Sequence, residues 1–527
     1  MSSARHDAVV VGAGPNGLVA ANLLADSGWD VLVLEEQPTI GGAVRSASDV
    51  AEGFVHDTFS SFYPLAAASP VIRSLGLERH GLTWCHAPSV LGHPMRDGRW
   101  AVLHHEPERT AEGLDALHGG DGDAWLALHG QWERIGPALI NALLSPFPPL
   151  RAGLDMLRRL PGVGGAQFVR TMLEPATTMG ENHFGGEGAR LLLAGNASHA
   201  DIPMNASGSG LMGLLLAMMG QTDGWPVPQG GAGRLAQALA DRFTSLGGQI
   251  RCSAPVRQVL VDGGRATGVR LADGDHVPVR RAVLADVSAP ALYEQLLDPE
   301  QLPARVRTGI RRFEFDPATI KVDWALDGPV PWTGGPSLGP GTVHVADSVD
   351  QMAQALNAIS VHSVPAQPFL LVGQMTTSDP TRSPEGTEAL WAYTHVPQVV
   401  HRDDGPDGIT GAWDQSETER MADRMQARLE ALAPGFGSRV RARRVLGPRE
   451  IEARDSNLVQ GAVGGGTAGL HQQLVLRPVP GLGRAGTAVR GLFLASASAH
   501  PGGGVHGACG SNAARAALAQ ARLGRLR

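Results

Sequence analysis

Asp7-Ala-Val-Val-Val11-Gly12-Ala-Gly14-Pro15-Asn16-Gly17 is the stretch on which the reading of this chain turns. A β-branched run of buried-sheet character enters a glycine turn and then an Ala/Leu-rich segment, which reads as a helix ending near Gly28. A second apolar run, Val31-Leu-Val-Leu34, closes on Glu35 and Glu36. Each glycine has a physical task. Gly12 permits the tight turn, Gly14 lets a pyrophosphate approach the backbone, and Gly17 lets the helix pack on the strand. The helix start, where Pro15 and Asn16 stand, offers unpaired N–H groups worth roughly 0.3–1 kcal/mol to an anion. Glu35, 23 residues beyond Gly12, is spaced to accept hydrogen bonds from a ribose hydroxyl.

The glycine pattern alone proves little. With 69 glycines in 527 residues, about one G-x-G-x-x-G is expected by chance, and five occur, starting at Gly12, Gly208, Gly464, Gly481 and Gly502. Only the first follows a strand, opens a helix and is answered by an acid at the right distance. The matches at Gly464 and Gly481 have neither flank and read as loop glycines. The chain thus carries one supported dinucleotide site and no second one for a nicotinamide cofactor.

Gly41-Gly42-Ala43-Val44-Arg45-Ser46 lies six residues past Glu35. An N-terminal G-x-G-x-x-G, an acid, then G-G-x-x-R/S resembles the opening of glutathione-reductase-type flavoproteins, phytoene desaturases and flavin amine oxidases in particular. Near the other end, the strand Gly491-Leu-Phe-Leu-Ala-Ser496 enters His500-Pro-Gly-Gly-Gly-Val-His-Gly-Ala-Cys-Gly510 and a helix from Ser511 to Arg522. His-Pro-Gly-Gly-Gly-Val is similar to the closing motif of phytoene-desaturase-like proteins, the branch that includes the pyridine nucleotide-disulfide oxidoreductase domain-containing proteins. The resemblance implies FAD as cofactor. It implies contacts from Gly12, Gly14, Pro15, Asn16, Gly17, Glu35, Glu36, Gly41, Gly42, Ala43, Arg45, Ser60, Ser61, Val256, Ser496, Gly503, Gly504 and Val505. Val256 is implied at the adenine, through its backbone, and the 500–510 loop over the ring and ribityl end. Between these ends, residues 249–286 read as a strand, a turn-linked pair around Gly263-Gly264 and Asp273-Gly274, and a returning strand.

The expected fold is α/β: a glutathione-reductase-type Rossmann FAD-binding domain interleaved with an α+β substrate domain. The discontinuous FAD-binding part takes 1–75, 228–295 and 455–527; the substrate-binding part takes 76–227 and 296–454. Within the latter, Ser207–Gly220 is almost wholly apolar, either a core helix or a wall of a substrate tunnel. Ile140–Leu173, with Pro-Phe-Pro-Pro-Leu and arginines at 151, 158 and 159, reads as a solvated helical hairpin or as a peripheral membrane contact. Tyr63, His199, Trp225 and His395 are the pocket candidates.

Catalytic candidates are few. Of 44 basic residues one is a lysine, Lys321, in the alternating strand Ala318-Thr-Ile-Lys-Val-Asp-Trp324. By resemblance to flavin amine oxidases it stands at flavin N5; the plain alternative is a strand lysine facing solvent. His506, inside the flavin-covering loop, is the candidate base, with His500 near it. Cys509 stands where the motif has proline, as a reactive thiol or as a small buried filler. Three cysteines without a C-x-x-C pair argue against disulfides, zinc and dithiol chemistry. No metal-ligand spacing is present.

A net charge of −7 and a pI near 6.2 argue against a nucleic-acid face. No basic-then-apolar leader and no run of 18 apolar residues are seen, so cytoplasm is the expected compartment. The expected reaction is hydride transfer from a largely apolar small molecule, a polyene or secondary metabolite, to the flavin, with O₂ or a quinone as acceptor. An amine oxidase, a redox-neutral isomerase and a flavin-binding protein without turnover are the alternatives.

Overall fold

Strand His6–Val11 occupies the middle of a parallel sheet in a computed structural model that describes residues 5–525. It pairs with Val31–Leu34 on one side and His276–Ala285 on the other, with Gln249–Arg251 and Leu492–Leu494 extending the parallel set. An antiparallel ribbon, Val256–Asp262 and Arg265–Leu271, continues from His276–Ala285. The unbroken apolar runs read from sequence are needed because both faces are covered. Ala8, Val10, Val31 and Val33 pack under helices Pro15–Asp26, Gly233–Ser245 and Ala508–Arg525. Val9, Val11, Leu32 and Leu34 pack against the ribbon.

The last helix differs from the expectation of Ser511–Arg522. It begins at Ala508, so Cys509 and Gly510 sit in its first turn. A side chain at Gly510 would stand 1.9 Å from the Asn16 carbonyl oxygen, so this glycine sets how closely the first and last helices approach.

A second, seven-stranded sheet has the order Val440–Leu446, Ala318–Leu326, Glu388–Val396, Leu370–Gln374, Pro340–Val345, Ser89–Pro94, Trp100–Leu103. All nine residues of Ala318–Leu326 are buried. Alternation here separates two cores rather than core from water. Ile320, Val322 and Trp324 meet Met421, Met425 and Leu429 of helix Gln415–Leu432. The other face carries Thr319, Lys321 and Asp323 opposite His395, Tyr393 and Trp391. It shares a core with Phe54 and Val227.

The two sheets are held together by buried charge. Asp57 takes Arg382 at 2.7 Å, the Ala232 N–H at 2.7 Å and the Ser46 hydroxyl at 2.8 Å. Asp379 pairs with Arg382 at 3.1 Å and accepts from the Gly230 N–H at 2.7 Å. Burial opposes the Asp57 charge, yet Arg382 and the added donors outweigh it and hold its carboxyl below the usual range. Removing one partner of such a pair leaves the other unmatched in a dry interior. Arg382→Met is expected to lower stability by about 3–5 kcal/mol, measured by urea unfolding; a loss within error would show that the cluster holds nothing.

Candidate cofactor and active site

The first glycine turn is packed without slack. A Cβ on Gly12 would lie 2.7 Å from the Asp286 carbonyl oxygen, one on Gly14 2.8 Å from an Asp286 carboxylate oxygen, and one on Gly17 2.2 Å from the Gly12 carbonyl oxygen. The second glycine pair docks on the first. The Gly41 N–H donates to the Ala13 carbonyl at 2.9 Å, and a Cβ on Gly42 would reach Gly14 Cα at 3.1 Å. Arg45 donates to the Gly42 carbonyl and Ser60 to that of Ala43, both at 2.8 Å, closing the turn.

The Glu35 carboxylate accepts from the N–H groups of Ala13 at 2.7 Å and Gln37 at 2.8 Å, and retains further acceptor capacity. Glu36 faces solvent. Val256 opens its strand two residues after Ala254, whose N–H bonds the Glu35 carbonyl at 2.8 Å. Buried polar atoms without a partner include Asn16 Oδ1, Ser511 Oγ and Asn512 Oδ1 at the two facing helix starts, and Ser61 Oγ in the segment that follows the second glycine pair. Orphaned buried groups are uncommon in native proteins. Together with the close glycine turns and Glu35 they fit the ribose, pyrophosphate and ring edges of FAD.

Asp286 was not anticipated. It ends its strand as Glu35 ends Leu34's, and its carboxylate accepts from the Gly17 N–H at 2.7 Å. Burial pushes its carboxyl up to about 8, the Gly17 N–H opposing, and Asp455 and Glu35 add like charge. A strand-terminal acid was the available signal, masked because nothing in the sequence pairs residue 286 with residue 17.

The C-terminal loop is anchored from below. Arg477 is buried and donates only to main-chain carbonyls: Ala497 at 2.7 Å, Thr467 at 2.9 Å, Gly465 at 3.1 Å and Gly466 at 3.3 Å. Asp316 takes the N–H groups of Val463, Gly464 and Gly466, and Asp201 that of Ala468. This fixed ledge carries the loop. A Cβ on Gly503 would meet the Gly464 carbonyl oxygen at 2.6 Å, and one on Gly504 would meet Leu65 at 2.6 Å. Ser496 accepts from the Ser498 N–H within the loop, and Val505 packs half-buried against the first core.

His506, the expected base, is engaged within the loop itself. Its Nδ1 accepts from the Ala508 N–H at 3.0 Å, and burial pushes its pKa down to about 4. It organises the loop's exit into the helix. Burial raises the Cys509 thiol to about 12, with its Sγ 3.5 Å from the Gly502 carbonyl oxygen, so it fills space as a neutral thiol.

Lys321 faces neither solvent nor an open cavity. Its ammonium donates to Asp323 and, at 2.8 Å, to the Asp57 carbonyl. Burial works against the Asp323 charge, but Lys321 and Arg444 prevail and hold it below the usual range. His199 and Trp225 come together with rings 5.0 Å apart, and the Nε2 atoms of His199 and His344 are 2.9 Å apart. His395 lies on the sheet face with Tyr393, rings 5.5 Å apart, and its Nε2 has no partner. Burial, then His395, lowers the His199 pKa to about 3. Tyr63 is set apart from these: its hydroxyl donates to the Ser60 carbonyl at 2.9 Å and its ring joins the first core. Sequence reasoning missed Tyr393 and His344.

A two-turn glycine cradle, a strand-terminal glutamate and a glycine loop over a second helix start fit a flavin. The sequence profile of flavin-containing amine oxidoreductases matches residues 16–518. The chain belongs to this family. It is an FAD-dependent oxidoreductase. It is 29% identical over 557 residues to the mouse pyridine nucleotide-disulfide oxidoreductase domain-containing protein 2, covering 97% of this chain and 92% of the relative. Against the zeta-carotene-forming phytoene desaturase of Myxococcus xanthus it is 27% identical over 504 residues, covering 94% and 90%. A redesigned putrescine oxidase shares the fold with a TM-score of 0.62 at 17% identity, over 98% of this chain and 99% of that one.

The raised carboxyl of Asp286 makes a pH prediction. Its pKa in the folded protein lies above its unfolded value, so the stability it contributes is fully present below about 4 and is lost as pH rises through about 8. Apo protein is expected to unfold at progressively lower urea between pH 5 and 8.5, and Asp286→Asn to flatten that slope; an unchanged slope in the variant would assign it elsewhere.

Proposed function

We propose that this oxidoreductase takes hydride from a neutral, largely apolar small molecule, a polyene or comparable secondary metabolite, and passes the electrons to O₂ or a quinone. The observation carrying this reading is the character of the inner face of the second sheet and the helix beyond it. Helix Ser209–Thr222 has eleven of its fourteen residues buried and offers leucine, methionine and glycine. The sheet contributes Leu371, Trp391 and Tyr393, the last two stacked with ring centroids 5.8 Å apart. The histidines between them are held neutral by burial. Lys321 and Asp323 neutralise each other, and the ion pair leaves no single carboxylate to receive a substrate ammonium.

Bound FAD supplies the hydride acceptor at N5. The chain's own part is orientation and exclusion of water. The aromatic ladder Trp391–Tyr393 sets the substrate's plane. The fixed ledge under the 500–510 loop keeps the cofactor's cover in one position. Burial lowers the Lys321 pKa while Asp323 opposes it, so this amine holds a proton on the inner face of the second sheet, where it assists reoxidation. An amine oxidase fits less well, because aromatic residues must flank the amine. Tyr63 and Tyr293 are both sequestered in the cores of the parallel sheet, which leaves Tyr393 and Trp391 together on one wall.

Anaerobic stopped-flow absorbance decides between these. Flavin bleaching by polyenes or other neutral apolar donors is expected; bleaching by primary amines alone would overturn the reading, and isomerisation confined to prereduced enzyme would make it an isomerase. In Lys321→Met, where Asp323 retains Arg444, reoxidation by O₂ is expected to slow by roughly tenfold or more. An unchanged rate would remove Lys321 from the mechanism.

A further inference from the structure

Helix Leu150–Arg159 buries a single residue, Ala152. Leu150, Leu154 and Leu157, spaced four and three apart, share one stripe and are 77%, 49% and 65% exposed. Helix Ala166–Leu173 follows the same plan. Phe168, Thr171 and Met172 face the core, while Val169 and Leu173, four apart, face outward. Among the described residues thirteen large apolar side chains are exposed, and five of them fall between 150 and 173. Exposed apolar residues of a monomer are ordinarily scattered singly, so this clustering needs a cause. The patch continues: the Gly208 N–H bonds the Leu173 carbonyl, Gly208 leaves its side-chain space to Leu470, and Leu470, Leu474 and Val475 are exposed too.

The charge on this face is opposite to that of the chain. Residues 150–173 hold Arg151, Arg158, Arg159 and Arg170 against one acid, Asp155, in a protein of net charge −7. Asp155 pairs with Arg159, and Glu174 with Arg170. Arg151 and Arg158 make no ion pair among the described residues, and both lie about 90° around the helix from the leucine stripe. Apolar side chains with cations at their flank match an acyl boundary below a layer of negative headgroups, where arginine stems lie along apolar surface and their heads remain in water. No described helix is long and apolar enough to cross a membrane, so contact is interfacial.

The hairpin also touches the site. His500 Nε2 donates to the Ser145 carbonyl at 3.0 Å, and the Phe147 and His500 rings lie 6.0 Å apart at the start of the 500–510 loop. The Ser209 hydroxyl, at the head of the apolar helix, accepts from the Ala176 N–H at 2.8 Å, just past Leu173.

We propose that the face built from Leu150–Arg159 and Ala166–Leu173 docks on a bilayer bearing anionic lipids, with its leucines at the acyl boundary and Arg151 and Arg158 among the headgroups, and that an apolar substrate passes from there along helix Ser209–Thr222. The second half rests on the proposed substrate class; the docking does not. The test is flotation of the FAD-loaded protein with vesicles of phosphatidylcholine alone or mixed with phosphatidylglycerol. Wild type is expected to float with the anionic vesicles and to be released by high salt. The double variant Leu154→Glu, Leu157→Glu is expected to stay behind, with its flavin spectrum and unfolding temperature unchanged. Arg151→Glu with Arg158→Glu is expected to bind anionic vesicles at least roughly tenfold more weakly. Equal flotation of wild type and the leucine variant, or none by wild type, overturns the proposal. So does light scattering that shows a dimer lost in the leucine variant while wild type ignores vesicles, since the face would then join two copies of the chain. Flotation needs no turnover, so it stands or falls independently of flavin reduction by apolar donors.

Discussion

The position of Asp57 constrains everything above and below it. Its carboxylate takes Arg382, a main-chain N–H from the glycine turn at 232 and the Ser46 hydroxyl, while its carbonyl takes the Lys321 ammonium. One residue thus joins a floor, the parallel sheet with its glycine turns, to a roof, the second sheet. Apolar contact could supply comparable stability, because replacing buried ion pairs with well-packed hydrophobic residues is often neutral or favourable. What apolar contact lacks is direction. Hydrogen bonds to charged groups fix distance and angle, and a roof strand displaced by one residue would turn Lys321 and Asp323 into the wrong core.

Burial then sets the chemistry of the enclosed space. Desolvation is the largest influence on Asp286, His199, His395 and His506, and in each case it favours the neutral form. Charge persists where an opposite partner is within reach, as for Asp57 with Arg382 and Asp323 with Lys321 and Arg444. The enclosed space is dry, and the charges that persist in it are paired.

The parallel core could be read from sequence because strand, turn and helix there are local: Val11, Gly12, Gly17 and Glu35 lie within one short segment, and their spacing carries the geometry. The His500–Gly510 loop was readable by resemblance, though its helix starts three residues earlier than Ser511, since the approach of Gly510 to Asn16 is a contact between chain ends. Contacts between distant segments left no trace. Asp286 with Gly17 and Arg477 with four backbone carbonyls have no spacing to detect. Lys321 was ambiguous for a related reason, as an alternating pattern looks the same whether the second face meets water or another core. His506 was read as a base because a histidine within a motif shows its type but not which of its nitrogens is already engaged.

Lys321 has one more consequence. It carries the chain's single side-chain amine, and that amine lies beneath a sheet with its hydrogen bonds directed at Asp323 and Asp57. Acylating reagents, aldehyde cross-linkers and enzymes that tag ε-amines therefore meet no lysine on the folded surface. The group becomes reachable when roof and floor separate, so covalent labelling at residue 321 would record the first opening of the interface between the two sheets in each molecule.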